Sequence, residues 1–93
     1  MSQIRVSPAQ LYAAADRFRG SAQHVRSIVR RMRAALEGTT WQGVSRNRFG
    51  GRFAEWEEEA ERIATAMEEL ANELAHVAQS FEQADHASWE EEP

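Results

Sequence analysis

Two stretches of this chain repeat apolar residues at alternating intervals of four and three, and a short break separates them. The first holds Leu11, Ala15, Phe18, Ala22, Val25, Val29, Met32 and Leu36. The second holds Phe49, Phe53, Trp56, Ala60, Ile63, Met67, Leu70, Leu74, Val77, Phe81 and Ala84. Such spacing belongs to helices that pack through a narrow seam, and it excludes strands, whose period is two. The chain is therefore constrained to an all-α fold built from two long helices.

Local signals place the ends. Ser7 suits an N-cap, Pro8 the first helical position, and Gln10 the third position of a capping box. One domain is expected over residues 1–93, with a helix over 8–37, a turn over 38–43, a second helix over 44–87 and an acidic tail over 88–93. In the turn, Gly38 can take the left-handed conformation that ends a helix. Trp41 plugs the end of the seam, and Gly43 leaves room for close backbone approach. Gly20 weakens the first helix by about 1 kcal/mol relative to Ala. Gly50-Gly51 interrupts helix propensity but not phase, and predicts a close-packing point or bend.

Folding the chain back at Trp41 opposes positions whose numbers total 85. Leu36 then meets Phe49, Met32 meets Phe53, Val29 meets Trp56, Phe18 meets Met67 and Leu11 meets Leu74. The same pairing sets Arg30 near Glu55 and Arg26 near Glu59. The result is an antiparallel helical hairpin. Ala14, Ile28 and Ala35 widen the apolar stripe beyond one partner helix, and Tyr12 lies on its flank. A hairpin this short buries little surface alone, so dimerisation into a four-helix bundle is expected. Residues from Ala78 to about Ala87 would project past the first helix by about 15 Å at the helical rise. Phe81 and Asp85 ride on that overhang, a natural handle for another protein.

Charge is divided along the chain. The net charge of −4 combines +8 in residues 1–52 with −12 in residues 53–93, and every basic residue is Arg. Both blocks fall on helices, so mutual complementarity explains the division. The arginines near the turn could meet phosphates. The neighbouring Glu55 to Glu61 block competes for them, and no base-reading motif accompanies them.

Catalytic chemistry finds no footing. There is no Cys and no Lys, and His24, His76 and His86 fit no zinc pattern. The Glu57-Glu58-Glu59 run reads as a solvated helix face, and a two-helix hairpin offers no concave site in which to shift a pKa. No enzyme activity, cofactor or metal is expected. No apolar run approaches the roughly 20 residues that span a bilayer. Residues 1–6 carry no apolar run of signal-peptide length, so nothing points to a cleaved leader.

About a hundred residues, two helices and a central Trp41-Gln42-Gly43 together resemble the WXG family of ESAT-like proteins, small substrates of type VII (ESX) secretion. The match covers nearly the whole chain. Phe49 is similar to the aromatic that follows the motif in the family. Phe81-Glu82-Gln83-Ala84-Asp85 resembles the family's C-terminal Tyr-x-x-x-Asp/Glu signal, with Phe for Tyr and thus without the phenol hydroxyl. The resemblance implies a folded dimer, with itself or a related WXG protein, exported from the cytoplasm without a cleaved signal peptide. It also implies recognition by a secretion ATPase through Trp41, Gly43, Phe81 and Asp85, the turn of one subunit lying near the C-terminal motif of the other. Two other readings compete: a cytoplasmic adaptor or chaperone for a larger secreted toxin, and an Arg-rich nucleic-acid binder.

Overall fold

The computed structural model consists of two helices, α1 (Pro8–Glu37) and α2 (Val44–Glu91). It describes residues 7–40 and 43–91, with the side chains of α2 to residue 84. Among the described residues there is no strand. The helices lie antiparallel, since Arg33 reaches Glu57 near the turn and Arg19 reaches Asn72 further along. The hairpin is a rod of 78 × 22 × 18 Å. Its radius of gyration is 21.5 Å, where a compact domain of this length has about 12 Å.

The start of α1 follows from its first residues. Ser7 is extended (φ −98°, ψ 111°), and its Oγ accepts from the Gln10 N–H at 3.3 Å. Its carbonyl accepts from the Leu11 N–H at 3.1 Å. The end of α1 differs from expectation. Gly38 is right-handed (φ −77°, ψ −5°) and donates its N–H to the Ala34 carbonyl at 3.0 Å. Thr39 completes the cap, its hydroxyl donating to the Ala35 carbonyl at 2.8 Å. Positive φ occurs instead at Gly43 (108°), which immediately precedes α2 and accepts from the Asn47 N–H at 3.2 Å. Gly43 is thus the residue whose backbone excludes a side chain.

Helix α2 continues unbroken through Gly50-Gly51 and ends at Glu91, beyond the expected end at 87. A Cβ built on Gly50 or Gly51 would meet no atom within 4 Å. The expected close-packing point is therefore absent among the described residues: the two glycines lie on an open surface.

The core is made of alanine. Among the described residues, Ala15 and Ala22 of α1, with Ala60, Ala64, Ala71 and Ala78 of α2, are the buried ones. The large residues of the predicted seam are not: Phe18 is 37% exposed, Trp56 39%, Leu70 47% and Ile63 50%. The register differs accordingly. Arg26 pairs with Glu61 and Glu68 rather than Glu59, and Arg33 rather than Arg30 reaches the Glu55–Glu59 stretch, at Glu57. The paired numbers total 87 for Arg26–Glu61, 90 for Arg33–Glu57, 91 for Arg19–Asn72 and 94 for Arg26–Glu68, not 85.

The physical reason is side-chain size. Interaxial distance depends on the residues at the contact. The close solution turns α2 so that column 57, 64, 71, 78 faces α1 and column 56, 63, 70, 77 does not. With totals centred near 90, Ala22 falls between Ala64 and Ala71, and Ala15 between Ala71 and Ala78. The overhang shrinks too. Pro8 comes level with about residue 82, so Phe81 lies beside α1, and only the last turns before Glu91 project.

Three substitutions test this packing in thermal melts. Gly43→Ala should cost about 1–3 kcal/mol through backbone strain, while Gly38→Ala should change stability by less than about 1 kcal/mol. Ala71→Leu should cost about 1–3 kcal/mol by overfilling the seam. An Ala71→Leu chain that melts at the native temperature would refute the alanine register.

Candidate functional site: an open apolar face

Helical periodicity gives the hairpin two unlike sides. On α1, Tyr12, Arg19, Arg26 and Arg33 recur every seven residues and so form one column. Each reaches across to α2. The Tyr12 hydroxyl faces the Glu82 carboxylate. Arg19 Nη2 donates to Asn72 Oδ1 at 3.3 Å, and Arg33 pairs with Glu57. Arg26 forks between two carboxylates, with Nη1 2.8 Å from Glu68 Oε2 and Nη2 2.9 Å from Glu61 Oε1. Its donated hydrogen bonds hold Glu61 and Glu68 below the usual carboxylate range, and the same contacts raise its own pKa further. Interaction with the Glu82 carboxylate pushes the Tyr12 hydroxyl up. This side is closed by its own polar network.

The other side is open. On α1, Leu11, Phe18, Val25 and Met32 form the column one position before the arginines. On α2, Phe49, Trp56, Ile63, Leu70 and Val77 recur every seven residues. Each is 39–50% exposed. Between the two columns, near the turn, lies a groove of about 490 Å³ lined by Met32, Leu36, Thr39, Phe49, Arg52 and Trp56, among others. The Phe53 and Trp56 rings stand 5.5 Å apart and tilted by 32°. The chain exposes 7762 Å², where a compact protein of its mass exposes about 5,500 Å². The surplus, about 2,300 Å² by that scaling, exceeds the roughly 800 Å² that each partner contributes to a standard protein–protein interface.

The predicted recognition residues separate. Gly43 closes the turn end, and Phe81, 41% exposed, lies near the opposite end. One hairpin does not bring them together. Trp41 and the side chain of Asp85 lie outside the described residues. Of the seam residues, Leu11, Val25, Val29, Leu36, Phe53, Met67 and Leu74 are half-buried, while Phe18, Met32, Phe49, Trp56, Ile63, Leu70 and Val77 are exposed. Ala15, Ala22 and Ala60 belong to the repeats read from the sequence, whereas the α2 column Ala64, Ala71, Ala78 and the arginine column of α1 do not, although both carry a seven-residue repeat.

Among the described residues, no group of three or more His, Cys, Asp and Glu could hold a metal ion. None of them is a buried polar or charged side chain. Among the described residues, no helix is long and apolar enough to cross a membrane. The chemistry available to this face is association.

Residues 3–86 match the family described as WXG100, proteins of 100 residues with WXG. No curated protein sequence matches significantly. Among solved structures, the hairpin is similar to the secreted protein EsxB of Bacillus anthracis str. Sterne. A point mutant of that protein superposes with a TM-score of 0.81 at 22% identity, covering 94% of this chain and 98% of that one. The wild-type protein gives 0.81 at 21% identity, covering 89% and 99%. A selenomethionine form gives 0.80 at 24% identity, covering 91% and 99%.

The Arg26 fork has a pH signature. Glu61 and Glu68 are lowered in the folded chain, so their stabilisation is complete above the unfolded carboxylate pKa of about 4.3. It is lost as pH falls through the lowered values. The native melting temperature should therefore drop in acid below about pH 4. Arg26→Met should melt lower at neutral pH and show a shallower acid loss. Parallel pH profiles for the two chains would remove the fork from the stability of the hairpin.

Proposed function

Because the chain belongs to the WXG100 family, we propose that it is a small non-enzymatic substrate or partner of a type VII (ESX) secretion system, exported as a folded dimer. The observation that carries this reading is the open apolar face. Two heptad columns of large side chains run most of the length of the rod, and Phe18, Met32 and the five residues of the α2 column are each 37–50% exposed. A second hairpin laid on that face completes a four-helix bundle. The partner is a second copy or a related WXG protein.

Association also answers the separation of the recognition residues. Antiparallel packing carries the turn of one hairpin towards the far end of its partner. Trp41 and Gly43 of one subunit then meet Phe81 and Asp85 of the other, and the pair forms the surface read by the secretion ATPase. Phe81 supports this role, because it is half-exposed and alongside α1 rather than spent in the core. Replacement of Tyr by Phe leaves the ring and loses the hydroxyl, so recognition here is apolar plus acidic.

The experiment is secretion of variants from a host that carries the secretion system, with solution mass measured in parallel. Phe81→Ala and Asp85→Ala should keep helix content and dimer mass while export falls at least about tenfold. Undiminished export of both variants would sink the assignment.

A further inference from the structure

We infer that Tyr12 is a positioning residue for the recognition segment near the end of α2. It holds Glu82 in place, and Glu82 joins Phe81 and Asp85 as a further acid on the surface that a cationic partner reads. This rests on the export reading above and adds to it one residue from each helix.

Register places the two residues together. Tyr12 lies two heptads before Arg26 on α1, and Glu82 lies two heptads after Glu68 on α2. Each therefore stands in the same column as the residue it is counted from. Arg26 Nη1 is 2.8 Å from Glu68 Oε2, and 12 with 82 gives the same total, 94, as 26 with 68. Antiparallel helices that pack closely through a seven-residue repeat carry one contact along a constant total, so Tyr12 faces Glu82. The carboxylate pushes the phenol up, which keeps the hydroxyl protonated, and so a donor, well above neutral pH. Both residues are exposed, on the polar side of the rod.

The alanine packing stops short of this end. Among the described residues, Ala15 is the first buried in α1 and Ala78 the last in α2. Beyond them no ion pair crosses between the helices among the described residues. A helix end with few packed contacts opens locally at little cost. Positions 81, 82 and 85 fall within an arc of about 100° only while that turn stays helical. Tyr12 is the α1 residue placed to keep it so. The residue type matters as well. Arg26 and Arg33, in the same column, neutralise the carboxylates they hold, whereas a phenol donates a hydrogen bond and leaves the carboxylate charged. Among the described residues Glu82 forms no ion pair. No basic residue occurs within 8–16 or 79–85, so the acids of this end fit a cationic partner surface.

Three variants separate holding from charge. Tyr12→Phe loses the hydroxyl, Glu82→Gln loses the charge, and Tyr12→Arg stands to Glu82 as Arg26 stands to Glu68. Amide hydrogen exchange and solution mass are measured on the purified chain, and export in a host that carries the secretion system. Tyr12→Phe should speed exchange at residues 79–84 at least about threefold, the value of one modest hydrogen bond, and leave residues 60–71 unchanged. Its mass should stay native while export falls at least about threefold. Tyr12→Arg should exchange as slowly as the native chain yet export as poorly as Tyr12→Phe, because the guanidinium cancels the acid. Glu82→Gln should also lower export at native mass. The inference is overturned if Tyr12→Phe leaves exchange at 79–84 unaltered, or if Tyr12→Arg or Glu82→Gln is exported like the native chain. Undiminished export of Phe81→Ala and Asp85→Ala would overturn the export reading instead, and the exchange data would still decide whether Tyr12 holds Glu82.

Discussion

Small residues at seven-residue spacing are the constraint on which this hairpin depends. Ala15 and Ala22 on one helix, and Ala64, Ala71 and Ala78 on the other, let two backbones lie close with nothing bulky between them. A close approach fixes the register tightly, because Ala15, Ala22 and Ala71 each fall in the gap between two alanines on the other helix. It also determines where every larger residue goes. None of the large apolar side chains of the two repeats is fully buried within the single chain.

From that one choice the two sides of the rod follow. Turning the alanine columns inward sends the arginine column to one side, within reach of Glu57, Glu61 and Glu68, and the Phe, Trp, Ile and Leu columns to the other. Exposed ion pairs contribute little each, about 0–1 kcal/mol. They nevertheless oppose sliding, since Arg26 can satisfy both of its carboxylates only over a narrow range of registers. The polar side is thereby complete in the monomer, and the apolar side is not.

The two-helix architecture and the Ser7-Pro8 start were legible because period and capping are local properties of the chain. The pairing of the helices was less so. A 4–3 repeat marks a seam but does not say which neighbouring column faces which neighbour. Trp56 and Ala64 both belong to plausible columns, and reading by hydrophobicity favours Trp56. Packing distance favours Ala64, and distance is a property of two helices together. The turn shows the same limit: Gly38 and Gly43 look alike in sequence, yet only Gly43 takes positive φ, because Thr39 supplies a hydroxyl to finish α1. Period alone treats the candidate site as residues of one seam. It is better described as the part of two seams left over after alanine packing.

That leftover has a thermodynamic consequence. Burial stabilises in proportion to apolar area, by about 25 cal/mol per Å², and an alanine side chain offers little of it. A hairpin held by buried alanines, by half-buried residues such as Val29, Phe53, Met67 and Leu74, and by a few ion pairs sits near the edge of stability as a monomer, where domains of this size are already marginal. The large side chains that could add several kcal/mol are on the open face, so their contribution appears only when that face is covered. Folding and association are then linked: whatever binds the folded hairpin and not the unfolded chain shifts the balance by mass action. Stability should accordingly depend on chain concentration, and the recognition surface assembled from two hairpins should exist only where both are folded. For a protein read as a folded pair, the weak alanine core is therefore part of the device, because it keeps a lone hairpin from presenting half of the signal as a stable species.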